Sequence, residues 1–324
     1  MKPPLNEPQS MSTAYFSHTD CLLHDMGEWH PESPARLQAI EDQLIASGLS
    51  GLIARRDAPL AAIDDIRRVH SEAVVERIRN HLPAPGDTGY FALDADTLIN
   101  AHSWRAALRA AGAAVAATDA VIAGEFSTAF CAVRPPGHHA TPDASMGFCL
   151  CNNIAIAIRH ALAVHGLKRV AVVDFDVHHG NGTEAAFLND PRVLMVSFFQ
   201  SPLYPYSGEY PDGDRPSHLV NIPVPAYTRG DRVRELVQQD WLPALHAHRP
   251  EMIFISAGFD AHREDELASM GLIESDYAWI TRQLVAVADL YAKGRIVSCL
   301  EGGYHLSALG RSVISHLKAL AGLA

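Results

Sequence analysis

Val172-Val173-Asp174-Phe175-Asp176-Val177-His178-His179-Gly180-Asn181-Gly182-Thr183 is the stretch on which the reading of the fold turns. Preceded by Arg169-Val170-Ala171, it begins as a short β-branched run, the pattern of a parallel strand covered on both faces. Its acids, histidines and glycines then fall at the strand's carboxyl end. Side chains alternate faces along an extended chain, so Asp174, Asp176 and His178 share one face if the extension persists that far. A carboxylate and an imidazole two residues apart on one face can reach one metal ion. A strand end with a hydrogen-bonded aspartate and core histidines competes with that reading. The close pairing of two acids with two histidines favours the metal, because ionised carboxylates are seldom buried unless paired or metal-bound.

Open α/β sheets place ligands at strand carboxyl ends, so a third metal ligand is expected at the end of another strand. Met252-Ile253-Phe254-Ile255-Ser256-Ala257-Gly258-Phe259-Asp260 is such a strand, and it ends in an acid. Asp176, His178 and Asp260 give one nitrogen and two carboxylates. They leave open the fourth position that catalytic zinc sites keep.

The flanking chain fits one large α/β domain. At 324 residues, with 48% hydrophobic and 19% charged side chains, it can bury a full core. Lys+Arg 26 against Asp+Glu 37 leaves a net charge of −11 and no basic run to neutralise phosphates, which argues against a nucleic-acid partner. The same field weakly favours cationic substrates or peptides. Cys21, Cys131, Cys149, Cys151 and Cys299 are odd in number and scattered, which points to free thiols and a cytoplasmic protein. No apolar window of membrane length is expected, nor a secretory leader. Residues 1–12 are expected to be a flexible leader and 13–324 the catalytic domain.

In order, 13–33 reads as a histidine-rich loop at the rim of a pocket. Ser33 then reads as the N-cap of a helix reaching residue 47, with Pro34 at its first position. Arg36 in that first turn opposes the helix dipole and so calls for a partner carboxylate or a ligand. Short helices are expected at 63–67 and 71–82, a loop at 83–94 and a long Ala-rich helix at 97–123 stopped by Gly124. A strand at 128–133 delivers Arg134-Pro135-Pro136-Gly137-His138-His139-Ala140, a proline-stiffened platform for proton-transferring histidines. A helix over 150–165 follows, with Asn152 and Asn153 in its first turn. Beyond the central strand come a helix at 184–188, strands at 193–198 and 218–222, and a helix at 229–248. The loop 200–216, rich in tyrosine, proline and glycine, suits a pocket wall. A helix at 274–293, a strand at 295–300 and a helix at 306–320 complete the chain. The last strand delivers Glu301-Gly302-Gly303-Tyr304, whose glycines let the backbone turn a tyrosine into a cavity. Strands and helices alternate from 128 onward, the mark of a parallel, doubly wound sheet.

Arg134-Pro135-Pro136-Gly137-His138-His139, the Asp174 to Thr183 stretch, Ala257-Gly258-Phe259-Asp260 and Glu301-Gly302-Gly303-Tyr304 resemble, in order, the motifs of the zinc-dependent histone deacetylases and acetylpolyamine amidohydrolases. The His30-Pro31-Glu32 loop extends the likeness nearly to the N-terminus. The resemblance implies the arginase-like α/β fold, an eight-stranded parallel sheet flanked by helices. It implies one catalytic Zn²⁺ on Asp176, His178 and Asp260. His138 and His139 become the tandem histidines, Asp174 orienting the first and Asn181 partnering the second. Tyr304 becomes the hydrogen-bond donor to the transition state. Gly147, Phe148, Tyr204 and Leu267 would line the acyl-lysine tunnel, with the Gly147 carbonyl accepting the substrate amide N–H. A structural K⁺ would use the Asp174 side chain and the carbonyls of Asp174, Asp176, His178, Ser197 and Phe198. Asn181, where class I deacetylases carry aspartate, resembles class II and cannot lend His139 a negative charge. The implied reaction is hydrolysis of an acylated amine, with His139 as base, to acetate and a free amine.

Three alternatives stay open at this level. An arginase-like binuclear manganese site lacks its further acids here, since Asp176 is followed by Val177-His178-His179-Gly180 and Asp260 by Ala261-His262. A non-catalytic acyl-lysine binder would be expected to lose a ligand, a tandem histidine or the tyrosine, and all are present. The substrate is either an acetylated lysine in a peptide or protein, or an acetylpolyamine or other small acylated amine. Polyamine-specific relatives carry a gatekeeper glutamate, and the alignment puts Leu267 there with Glu266 beside it. A homo-oligomer is compatible with everything above.

Overall fold

The computed structural model describes residues 13–210 and 215–323; the expected leader 1–12 and residues 211–214 of the expected loop 200–216 lie outside them. The strands are β1 Thr13–Ser17, β2 Ala54–Asp57, β3 Phe91–Ala92, β4 Leu98–Ile99, β5 Thr128–Cys131, β6 Val170–Asp174, β7 Val193–Gln200, β8 Leu219–Val224, β9 Ile253–Ala257 and β10 Ile296–Leu300. The helices are α1 Ala35–Ala46, α2 Ile63–Ile66, α3 Glu72–Asn80, α4 Ser103–Ala123, α5 Asn153–Ala163, α6 Asn181–Phe187, α7 Gly230–Leu236, α8 Leu242–His248, α9 Glu274–Tyr291 and α10 Leu306–Leu320.

Eight strands form one parallel sheet in the order β2-β1-β5-β10-β9-β6-β7-β8, and β3 pairs antiparallel with β4 in a separate ribbon. The inner strands β5, β6, β9 and β10 are buried along their whole length, as a sheet covered on both faces requires. These four are neighbours, and each carries one of the sequence motifs just beyond its carboxyl end. Register makes the convergence specific: Asp174 lies beside Ser256 and Leu300 beside Ala257.

Several expected elements shift, each for a local reason. Residues 13–17, read as loop, form an inner strand between β2 and β5. Its edge neighbour β2 is Ala-Arg-Arg-Asp with three exposed residues, a sequence without strand periodicity. The helix expected from 97 starts at Ser103, because Leu98 and Ile99 pair with Ala92 and Phe91. Asn100 closes the turn between them, its Oδ1 accepting from His102 N at 3.0 Å. Asn152 is the N-cap of α5, accepting from Ala155 N at 2.9 Å, and does not belong to the first turn. The helix expected at 229–248 is interrupted by a π turn at Val237–Trp241, just before Pro243, which has no N–H for the α-helical ladder. The helix expected at 184–188 begins earlier, at Asn181.

Helix α4 also corrects the expectation that no apolar window reaches membrane length. It spans 21 residues and is long and apolar enough to cross a membrane by length and composition. Here it is a core helix, with Ala106, Ala107, Ala110, Ala111, Ala113, Ala114 and Ala117 buried. Gly112 has no side chain because the Pro59 carbonyl occupies the space a Cβ would take.

Candidate active site

Asp176, His178 and Asp260 meet as expected. His178 Nδ1 lies 3.0 Å from Asp176 Oδ1 and 3.1 Å from Asp260 Oδ2, and one ligand atom from each residue falls within 4.8 Å of the others. Backbone donors hold the carboxylates: Val177 N to Asp260 Oδ1 at 2.9 Å, Gly302 N to Asp176 Oδ2 at 2.8 Å, His178 N to Asp176 Oδ1 at 2.9 Å. Gly258 and Gly302 make this packing feasible, since a Cβ on either would overlap a ligand carboxylate. Both acids are fully buried, and they repel. Burial first, then the charge of Asp176, push the Asp260 carboxyl up to about 7. Burial opposes charge on His178, but its hydrogen bonds with Asp176 and Asp260 outweigh it and raise the imidazole to about 10. Such a trio calls for a cation. The donor set fits zinc, around which tetrahedral ligand atoms are about 3.3 Å apart.

The tandem histidines stand beside this trio with rings 4.0 Å apart, and they are wired differently. His138 Nδ1 meets Asp174 Oδ2 at 2.9 Å, and its Nε2 lies 3.8 Å from Asp176 Oδ2. Burial resists its protonation, yet Asp176 and Asp174 together hold it well above the ordinary histidine range. His139 Nδ1 meets Asn181 Oδ1 at 2.8 Å. Burial, reinforced by His138 and His178, holds His139 well below that range, with no carboxylate bonded to it. An amide oxygen only accepts, so Asn181 fixes the proton on Nδ1 and leaves Nε2 with a free lone pair.

Sequence reasoning named the motifs but not what braces them. Glu301 Oε2 accepts from Gly137 N at 2.6 Å and His138 N at 3.1 Å, clamping the histidine platform to β10. Arg36, flagged above as needing a partner carboxylate, is fully buried on Glu32 Oε1 at 3.0 Å. Its Nε donates to the Gly303 carbonyl at 2.7 Å, its Nη2 donates to the Glu301 carbonyl, and its guanidinium lies 4.9 Å over the Tyr304 ring. Arg134 completes a buried triad through a two-point contact with the Glu32 carboxylate at 2.5 and 2.6 Å. Asp265 accepts from Tyr304 N at 2.6 Å and His305 N at 3.0 Å, and from Leu267 N at 3.1 Å. No pattern in the sequence marks Asp265.

Aromatic rings form the walls. Gly147 and Phe148 both take positive φ, 58° and 67°, in a turn closed by Met146 and Cys149. This backbone turns the Phe148 ring edge-on to Tyr304 at 5.8 Å and to His30 at 4.6 Å. Tyr204 stands edge-on to His139 at 5.2 Å, its hydroxyl buried without a partner. Tyr304 opens on a cavity of about 490 Å³ shared with Pro31, Asp265, Glu266, Leu267 and His305. Glu266 is exposed and Leu267 half-buried. His179 points elsewhere, to Ser207 Oγ and Glu184 Oε2, both at 2.9 Å, and anchors the loop that carries Tyr204. Ser197 pairs with Asp174 across β6 and β7, and Phe198 stacks on Trp241.

Known proteins are similar to this chain in sequence and fold. The family model of the histone deacetylase domain matches residues 30–320. A histone deacetylase-like amidohydrolase of Pseudomonas aeruginosa is 38% identical, over 95% of this chain and 86% of that protein. A probable deacetylase of Archaeoglobus fulgidus is 37% identical over 96% of this chain and 87% of its own length. The crystal structure of the HDA15 HD domain matches with a TM-score of 0.89 at 33% identity, covering 97% of this chain and 89% of that one. Residues 30–320, with a trio able to hold a metal, a tandem histidine platform and a half-buried tyrosine at four adjacent strand ends, belong to the histone deacetylase family.

Proposed function

We propose that this deacetylase uses zinc, held by Asp176, His178 and Asp260, to remove acetyl or other short acyl groups from the ε-nitrogen of lysine in peptides or proteins. The observation that carries the reading is the tandem histidine pair beside the trio, rings 4.0 Å apart, with His138 bonded to the Asp174 carboxylate and His139 to the Asn181 amide oxygen. Zinc bound there would supply Lewis acidity to the substrate carbonyl and to water.

The chain's own residues do the rest. Phe148 and Tyr204 flank the acyl-lysine chain, and the Gly147 carbonyl accepts its amide N–H. His139 Nε2 takes a proton from the attacking water, and the Asn181 contact at Nδ1 keeps that nitrogen basic. The Tyr304 hydroxyl donates to the carbonyl oxygen as it becomes negative. His139 returns the proton to the amine nitrogen as the C–N bond breaks, giving acetate and a free amine. Arg36 and Asp265 hold the backbone on both sides of Tyr304, so its hydroxyl is aimed before substrate arrives. Potassium at Asp174, with the carbonyls of Asp176, His178, Ser197 and Phe198, is the structural ion of this reading. Five free, buried thiols support a reducing compartment such as the cytoplasm.

Leu267 is the more enclosed of the two residues at the mouth, which supports an apolar gate and lysine as substrate. The test is kcat/KM on an acetyl-lysine peptide beside N-acetylated polyamines. Preference for the peptide is expected, and preference for polyamines would put Glu266 in command of the mouth. Tyr304→Phe serves as control: it is expected to keep its metal and lose on the order of 10²–10³ in kcat, the cost of one oxyanion donor. An undiminished rate would remove Tyr304 from the chemistry.

A further inference from the structure

Among the described residues a second group meets the geometric condition that the active-site trio meets. Asp119 on α4, His160 on α5 and His165 just beyond α5 each offer a ligand atom within 4.8 Å of the other two. Both imidazoles aim Nε2 at one oxygen, Asp119 Oδ1, His160 from 2.7 Å and His165 from 2.6 Å. Their rings meet edge to face at 5.3 Å. The group lies on α4 and α5, outside the motifs that build the active site.

His160 carries the second observation. It is 8% exposed, and its Nδ1 is enclosed with no hydrogen bond while facing Asp65 Oδ1 at 3.4 Å. A neutral imidazole has one proton, and here it has a carboxylate oxygen at each nitrogen. Protonated at Nε2, it turns the Nδ1 lone pair on Asp65; protonated at Nδ1, it turns the Nε2 lone pair on Asp119. A cation on Nε2 removes the conflict, and Nδ1–H then points at Asp65. That is the carboxylate behind a ligating histidine that orients the ring in many metal sites. Arg68 Nε, 3.1 Å from the same Asp65 oxygen, fixes that carboxylate in place.

We propose that Asp119, His160 and His165 bind a divalent borderline metal of the zinc class, with Asp65 as the outer partner of His160. The donors are two nitrogens and one oxygen, a set suited to zinc, nickel or cobalt and poor for calcium or magnesium. Asp119 is half exposed and can open these contacts, from 2.7 and 2.6 Å toward the ~3.3 Å that tetrahedral ligand atoms keep. Solvent supplies the fourth position. The bound ion ties α4 to α5, and through Asp65 to α2, so its effect is on stability and not on the reaction.

The experiment uses the full chain, stripped with a chelator and re-equilibrated with zinc alone, for wild type, His165→Ala and Asp119→Asn. Expected are one more zinc equivalent per chain in wild type than in either variant, and a rise in Tm with zinc beyond that of the variants. Peptide deacetylation by the zinc-loaded variants is expected at the wild-type rate. The difference of one equivalent is counted between proteins that share the active-site trio, so it stands whether or not that trio holds zinc. Equal zinc content and equal Tm gains in wild type and both variants would overturn the site and leave His160 as a structural link between Asp65 and Asp119.

Discussion

Asp176→Ala is expected to give a folded chain that loses one zinc equivalent and deacetylates acetyl-lysine peptide far more slowly than wild type. Partners that merely orient a metal ligand cost about 10–100-fold when removed, and loss of the ligand itself should exceed that. Asp176 holds His178 through Oδ1 and Gly302 N through Oδ2. Without it two donors remain, and two donors do not retain a catalytic zinc against a chelator. Folding suffers less. Gly302 N and His178 N both lose their acceptor, at about 1–3 kcal/mol for each donor left without a partner. Against that, Asp260 is relieved of the neighbouring charge that, after burial, does most to push its carboxyl up. Metal content by elemental analysis and urea midpoints separate the two effects. Undiminished zinc in the variant would refute the ligand assignment.

The meeting of Asp176, His178 and Asp260 was legible because they follow strands whose apolar runs are continuous and whose ends abruptly become acidic. The extension does not persist to His178, because β6 ends at Asp174. Turns in which Asp174 accepts from Asp176 N and Asp176 from His178 N bring Asp176 and His178 together, and the sheet order brings Asp260 to them. What was illegible has a common cause: it depends on where distant loops come to rest. Asp265 sits in a charged run indistinguishable from solvated surface, yet it is buried beneath the Tyr304 loop. Strand β2 is charged because it is an edge, and β1, buried at four successive residues, shows no alternation. Arg36 was half legible: its unfavourable place at a helix N-terminus demanded a carboxylate, but not which one.

Glu32→Gln is expected to destabilise the protein by about 3–5 kcal/mol, the cost of breaking a buried ion group by removing one charge. Glu32 is fully buried and is the carboxylate partner of both Arg134 and Arg36, whose side chains are also fully buried. A glutamine keeps the volume but turns an amide N–H₂ toward a guanidinium and leaves two positive charges inside. The carbonyls of Cys21, His24, Gly303 and Glu301 still accept from those arginines, which favours the lower end of the range. The loss reaches the reaction because Arg36 braces the Tyr304 loop: kcat is expected to fall while zinc content is unchanged. pH gives an independent check. Burial opposes ionisation of Glu32, but Arg134 and Arg36 outweigh it and hold the carboxyl down at about 2. Its folded value thus lies below its unfolded one. The triad's stabilisation is complete above the unfolded value, about 4.3, and lost as pH falls toward about 2. Urea midpoints of wild type and Glu32→Gln should therefore differ by a constant amount from pH 7 to about pH 5 and converge below it. A gap that persists unchanged to pH 3 would mean that the carboxylate's charge is not what holds the two arginines.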